Sequence, residues 1–158
     1  MELVKATYAD VPEIMLVYKD VIKNTFTTWD ENYPREEVVR EDIDDGNFYV
    51  LKENGKIIAV SFLGTKKKDV EIWKYKLAKP MGVARICVSP KYQGKGIGTK
   101  FMQMLIAEAR VRGADGMHFH VCTTNVSAMK MYEKCGFAHN GEIVHNYGFD
   151  FYKYELVF

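Results

Sequence analysis

The sequence is short of everything that would mark a secreted, membrane-spanning or nucleic-acid-binding chain. It has three cysteines, Cys87, Cys122 and Cys135, an odd number with no Cys-x-x-Cys spacing. That pattern excludes a disulfide framework and reads as small core residues of a reducing compartment. No apolar run approaches the roughly 18 residues a membrane span needs. The first stretch, "MELVKATYADVPE", lacks the charged-then-apolar layout of a secretory leader, so the expected location is cytoplasmic. Lys and Arg number 22 against 21 Asp and Glu, a net charge of +1. The basic footprint required for nucleic-acid backbone binding is therefore missing, and Lys66, Lys67 and Lys68 read as a solvated turn. With no repeat, low-complexity tract or linker, one domain over residues 1–158 is expected.

What remains is an ordinary globular composition, 47% hydrophobic and 27% charged in 158 residues, enough to bury a single core. "ELVKAT" reads as a strand. Asp10 then stands where a helix cap would, with Glu13 in the capping-box position. Val11, Ile14, Met15, Tyr18, Val21 and Ile22 recur at helical spacing. A polar and aromatic segment, "TFTTWDENYP", leads to a short helix carrying Val38, Val39 and Ile43. "NFYVLK" and "IIAVSFLG" flank Asn-Gly, the strongest short hairpin signal. "DVEIWKYKLA" and "GVARICVSP" read as further strands. Ile97, Phe101, Met104, Leu105 and Ala109 mark a helix that ends near Gly113, "GMHFHVCT" reads as a strand, and "NVSAMKMYEKCGF" as a helix ended by Gly136. Strands near 138–145 and 149–157 complete the chain. This order predicts an α/β or α+β sandwich around one sheet.

"PKYQGKGIGTK" places Gly94, Gly96 and Gly98 at alternate positions after a strand and at the opening of a helix. Backbone N–H groups at a helix start attract an anion, and glycines admit it closely. Neither the Walker spacing nor the dinucleotide fingerprint fits: no Gly-Lys-Ser/Thr follows, and the third dinucleotide position falls on Thr99. The run is a phosphate cradle or a bare strand-to-helix turn.

A longer match separates the two. "ICVSPKYQGKGIGTKFM" resembles the central motif of the GNAT superfamily of N-acetyltransferases, an apolar strand, V-x-P, then Q/R-x-x-G-x-G/A. "TTNVSAMKMYEKCGF" resembles the family's second signature, matching at Asn125, Ala128, Tyr132, Gly136 and Phe137. The resemblance implies a mixed, strongly twisted central sheet with helices on both faces, and acetyl-CoA as donor. It further implies that Gln93, Gly94, Lys95, Gly96, Ile97 and Gly98 wrap the pyrophosphate with backbone amides. By the same likeness Ile86, Cys87 and Val88 pair with the pantetheine arm as an added strand, Asn125 hydrogen-bonds that arm, and Tyr132 faces the thioester sulfur. Family members are often dimers, which leaves a homodimer open. A looser likeness joins "VYKDVIKNTFTTWDENYP" to phosphinothricin-type acetyltransferases, with one residue extra before Pro34.

The implied chemistry can be checked against residue types. An amine attacking a thioester builds charge on the carbonyl oxygen and then on sulfur. Strand N–H donors can meet the first charge. A phenol suits the second as a hydrogen-bond donor more than as a full acid, since its pKa of about 10 exceeds that of a thiol, about 8.5. Some family members carry a glutamate on the strand before the motif, but "PMGVARICV" has no carboxylate. Asp30, Glu31 and Glu71 remain as bases, each also readable as a surface acid. Trp29 and Asp30, with Phe26 and Tyr33, either line an amine pocket or staple the loop to the core. His118, His120 and Cys122 share one strand face but lack a fourth ligand, so no metal is expected. The expected activity is acetyl transfer to a primary amine of a small molecule. The rivals are acetylation of a peptide or protein, and a sensor that holds acetyl-CoA without turnover.

Overall fold

Apolar runs and turn chemistry account for most of the architecture. A computed structural model describes residues 1–25, 27–66 and 73–158. Phe26, Lys67, Lys68, Glu71 and the first part of the strand expected from residue 69 lie outside the described residues. The chain packs as two compact units, Met1–Leu63 with Ala84–Phe101, and Gly64–Val83 with Met102–Phe158.

The first unit contains β1 (Glu2–Lys5), α1 (Val11–Asn24), α2 (Glu36–Asp44), β2 (Phe48–Glu53) and nearly all of β3 (Lys56–Gly64). β1 and β3 both pair antiparallel with β2. Asn54 and Gly55, at φ 51° and 76°, form the tight turn of the β2–β3 hairpin, as Asn-Gly demands. Eight of the nine β3 residues are buried, so the strand is a continuous apolar run instead of an alternating one. Ile58, Val60 and Leu63 are each 0% exposed, and burial of each contributes roughly 1.5–3 kcal/mol. α1 turns Ile14, Val17 and Tyr18 into one core with Val39 of α2 and Phe48, Val50, Ile57, Val60 and Phe62 of the hairpin.

The start of α1 departs from expectation. Asp10 makes no side-chain cap to that helix. Its carboxylate instead accepts from the Thr7 N–H at 2.9 Å and from Lys52 at 2.9 Å. Burial alone would raise its pKa, but these donors outweigh burial and hold the carboxyl below its ordinary range. Glu13 accepts from the Ile57 N–H at 2.6 Å, so it ties helix to hairpin and does not close a capping box.

The second unit contains β5 (Gly116–Cys122), α4 (Val126–Lys134), β6 (Ile143–Asn146) and β7 (Phe149–Val157). β5 and β6 flank β7, both antiparallel to it. Residues 73–79 form no strand, contrary to the reading of "DVEIWKYKLA". Asp115 accepts from the N–H groups of Ala78 and Lys79 at 2.6 and 2.9 Å. Phe119, Tyr132, Phe137 and Tyr154 pack as an aromatic core.

β4 (Pro80–Val88) and α3 (Ile97–Val111) run through both units. The strand order is β1-β2-β3-β4-β5-β7-β6. β4 runs parallel to β5 at Pro80 and Met81, so the sheet is mixed and the α/β class is as expected. Among the described residues no helix is long and apolar enough to cross a membrane.

Candidate active site

In the first unit, β4 ends at Val88 and a 3-10 turn over Pro90–Tyr92 delivers the chain to the glycine run. Gly94 and Gly96 sit at φ 75° and 76°, the left-handed region that side chains disfavour. A Cβ built on either meets nothing within 4 Å. The space above both backbones is open, and glycine is required by conformation alone. α3 begins at Ile97, so its first N–H groups lack helical partners and concentrate partial positive charge. An anionic phosphate fits this cradle by charge and by room. Lys95 turns its amine over the Tyr92 ring at 5.8 Å. The Gln93 side chain donates to the Val88 carbonyl at 3.0 Å, joining the glycine run to the strand Ile86-Cys87-Val88. Burial pushes the Cys87 thiol well above its ordinary range, which suits a packed residue and not a nucleophile.

The same unit holds a cavity of about 210 Å³ lined by Met15, Tyr18, Lys19, Ile22, Lys23, Asp30, Glu31 and Pro34. Asp30 thus faces a pocket. Trp29 packs elsewhere, partly buried against the core with its ring edge-on to Tyr18 at 5.5 Å. The two residues paired in the sequence reading separate here: Asp30 lines space, while Trp29 staples the segment. Asp30 and Tyr33 exchange backbone hydrogen bonds at 3.2 and 3.1 Å. Asp30 Oδ1 accepts from the Asn32 N–H at 2.8 Å, which fixes a tight turn.

Sequence reasoning missed Arg85. It stands inside β4 at φ 53°, a conformation that costs a non-glycine residue about 1–3 kcal/mol. The Tyr18 hydroxyl donates to its carbonyl at 2.6 Å. Its guanidinium donates to Asp42 Oδ2 at 3.1 and 2.5 Å and to Tyr33 Oη at 3.1 Å. Burial pushes the Asp42 carboxyl upward, and the charge of Arg85 acts against that shift. Only the arginine's position before "ICV" hinted at such a role.

In the second unit Asn125 caps α4, its side-chain oxygen accepting from the Ala128 N–H at 3.2 Å. The side chain expected to hydrogen-bond the pantetheine arm thus also has a structural task. Seven residues on, Tyr132 is 4% exposed, its ring 4.9 Å from that of Phe119. Burial first, then the neighbours Cys135 and Tyr154, pushes its phenol well above the ordinary tyrosine range. It stays protonated at neutral pH, a donor and not a base. On β5, Trp73 stacks on His118 at 3.9 Å and His120 at 5.4 Å, so these imidazoles pack against a ring. Among the described residues no group of three or more His, Cys, Asp or Glu could hold a metal.

Residues 15–137 match the acetyltransferase (GNAT) family. A stretch of 63 residues is 32% identical to a spermine/spermidine N(1)-acetyltransferase of Bacillus subtilis (strain 168), covering 39% of this chain and 41% of that protein. The chain spans only 23% to 41% of the length of the first curated relatives it matches. Among solved structures, yncA, a putative acetyltransferase of Salmonella typhimurium with its cofactor acetyl-CoA, aligns with TM-score 0.74 at 21% identity. That alignment covers 99% of this chain and 92% of that one. A putative phosphinothricin N-acetyltransferase aligns with TM-score 0.74 at 22% identity, covering 99% and 97%. At such identities the two structures share the fold.

Proposed function

Because the chain belongs to the acetyltransferase (GNAT) family, whose members use acetyl-CoA, we propose that it transfers the acetyl group to a primary amine of a small molecule. The observation that carries the donor half is the open space over Gly94 and Gly96 at the start of α3. Amides of residues 93–98 bind the pyrophosphate there, and the backbone of Ile86, Cys87 and Val88 pairs with the pantetheine arm.

The acceptor half rests on the cavity at Asp30, whose volume of about 210 Å³ lies below the ordinary 300–1,000 Å³ range of drug-sized ligands. That size suits a small amine, and an extended peptide would need a longer groove. Asp30 and Glu31 draw the cationic amine and accept its proton, directly or through water, so that nitrogen reaches the thioester uncharged. The nitrogen adds to the thioester carbon and charge builds on the carbonyl oxygen. As the C=O bond re-forms, the C–S bond breaks, the sulfur leaves with the bonding pair, and it takes up the proton that the nitrogen sheds on becoming an amide. Tyr132, held protonated by burial, donates a hydrogen bond to that sulfur. Attack is direct, with no acyl-enzyme.

Thiol release from acetyl-CoA, measured against amines, polyamines, amino acids and peptides, tests the reading. Turnover with one or more small amines is expected. Release with peptides alone would overturn the acceptor class, and acetyl-CoA binding without any release would make the chain a sensor.

A further inference from the structure

We propose that Arg85 is a positioning residue that sets acceptor selectivity by tethering the Trp29–Pro34 segment to strand β4. The proposal rests on the acceptor reading of the Asp30 cavity.

One end of this residue reaches a wall of that cavity, and the other reaches Tyr33, which is hydrogen-bonded to a second wall residue. Its carbonyl accepts from Tyr18, which lines the cavity and carries the Trp29 ring edge-on. Its guanidinium donates to Tyr33 Oη at 3.1 Å, and Tyr33 shares two backbone hydrogen bonds with Asp30. Fixing the Tyr33 ring tip therefore fixes the turn that aims Asp30. The guanidinium cannot swing away, because Asp42 holds both Nε and Nη2 and its planar fork lies over the Phe62 ring at 5.3 Å. Side-chain exposure is 14% for Arg85 and 11% for Asp42. A buried ion pair is a poor device for stability, since apolar residues of similar volume often serve as well. What a bidentate arginine adds is direction. The next residue is Ile86, the first of the three assigned to the pantetheine arm. The geometry thus links the segment that selects the amine to the strand that holds the donor.

Tyr33→Phe is the sharp test, because it removes one hydroxyl from a ring that is 40% exposed and leaves the fold intact. In it the acceptor KM rises about tenfold while the acetyl-CoA KM stays within about twofold, a split that general loosening would not give. Arg85→Lys keeps the charge but cannot span Asp42 and Tyr33 together, and gives the same split. A readout independent of turnover is acrylamide quenching of Trp29, the sole tryptophan left after Trp73→Phe. In that background Tyr33→Phe raises the quenching constant about twofold as the segment loosens. Unchanged quenching overturns the tether. Raised quenching with an unchanged acceptor KM, or with both KM values rising in step, overturns the selectivity role. If the unsubstituted protein releases no thiol with any amine, the acceptor reading fails by itself, and quenching alone then decides the tether.

Discussion

Replacing Gly96 by Ala and, separately, by Asp divides the cost of backbone strain from the cost of repelling a phosphate. Gly96 lies at φ 76°, and an added Cβ meets nothing within 4 Å. Both variants therefore pay for conformation alone, about 1–2 kcal/mol for a side chain in the left-handed region, with Asp somewhat better tolerated than Ala. At about 2–4 °C per kcal/mol for a chain of this size, each ligand-free protein should melt roughly 2–8 °C lower. Only Asp adds charge. A unit pair about 4 Å apart is worth about 1 kcal/mol in water and about 4 kcal/mol at an effective dielectric of 20. Between those limits Gly96→Asp should bind acetyl-CoA at least about fivefold more weakly than Gly96→Ala, at 1.4 kcal/mol per tenfold. Calorimetric titration of acetyl-CoA into both, beside a thermal melt of each, reads the two costs apart. Equal affinity in the two variants would refute the assignment of the pyrophosphate to this run.

Tyr132→Phe keeps the ring that packs on Phe119, so it should fold and bind acetyl-CoA normally yet lose roughly a hundredfold in turnover. Unchanged turnover at every pH would assign the leaving sulfur to another donor. Because burial raises the pKa of this phenol in the folded state, its stabilising share is whole below the free tyrosine value of about 10 and is lost as pH climbs toward the folded value. The denaturant midpoint of the parent should therefore fall relative to that of Tyr132→Phe above about pH 10. Asp30→Ala should raise the acceptor KM by about tenfold, whereas Trp29→Ala should lower the melting temperature through loss of its packing on Tyr18. Steady-state kinetics with equal effects from both would contradict their different surroundings. Gly82→Ala would put a Cβ 2.4 Å from the His118 carbonyl oxygen, and a backbone shift of that kind should cost about 1–3 kcal/mol, read by chemical denaturation.

Local chemistry was legible wherever it is decided within a few residues. Asn54-Gly55 announces its hairpin, and Gly136 ends α4 without help from the rest of the chain. The glycine run and the Asn125-to-Tyr132 spacing were readable for the same reason, each being a short motif on one turn or one helix. Asp10 and Glu13 went wrong because their carboxylates found better donors 42 and 44 residues away, Lys52 and the Ile57 N–H, which overrides local capping. Residues 73–79 were misread because their apolar spacing resembles a strand, yet their N–H groups are taken by side chains such as Glu155 and Asp115. The Arg85 contacts with Asp42 and Tyr33 join residues 43 and 52 positions apart, and no spacing rule reaches that far. Trp29 and Asp30, adjacent in sequence, diverge because neighbouring side chains point in different directions.

The bond from Gln93 to the Val88 carbonyl has a consequence for how the donor is assembled from its parts. It ties the end of the strand to the glycine run, the two places proposed to hold the pantetheine arm and the pyrophosphate. On that proposal two halves of the donor, an adenosine bisphosphate and a free pantetheine, would each meet a surface that this bond holds beside the other. Joining them covalently then gains the full benefit of tethering, an effective concentration in the millimolar range or above for a short, well-matched linker. Without the Gln93 bond the two surfaces would wander relative to one another, and the linked donor would gain less over its fragments even though every direct contact remained.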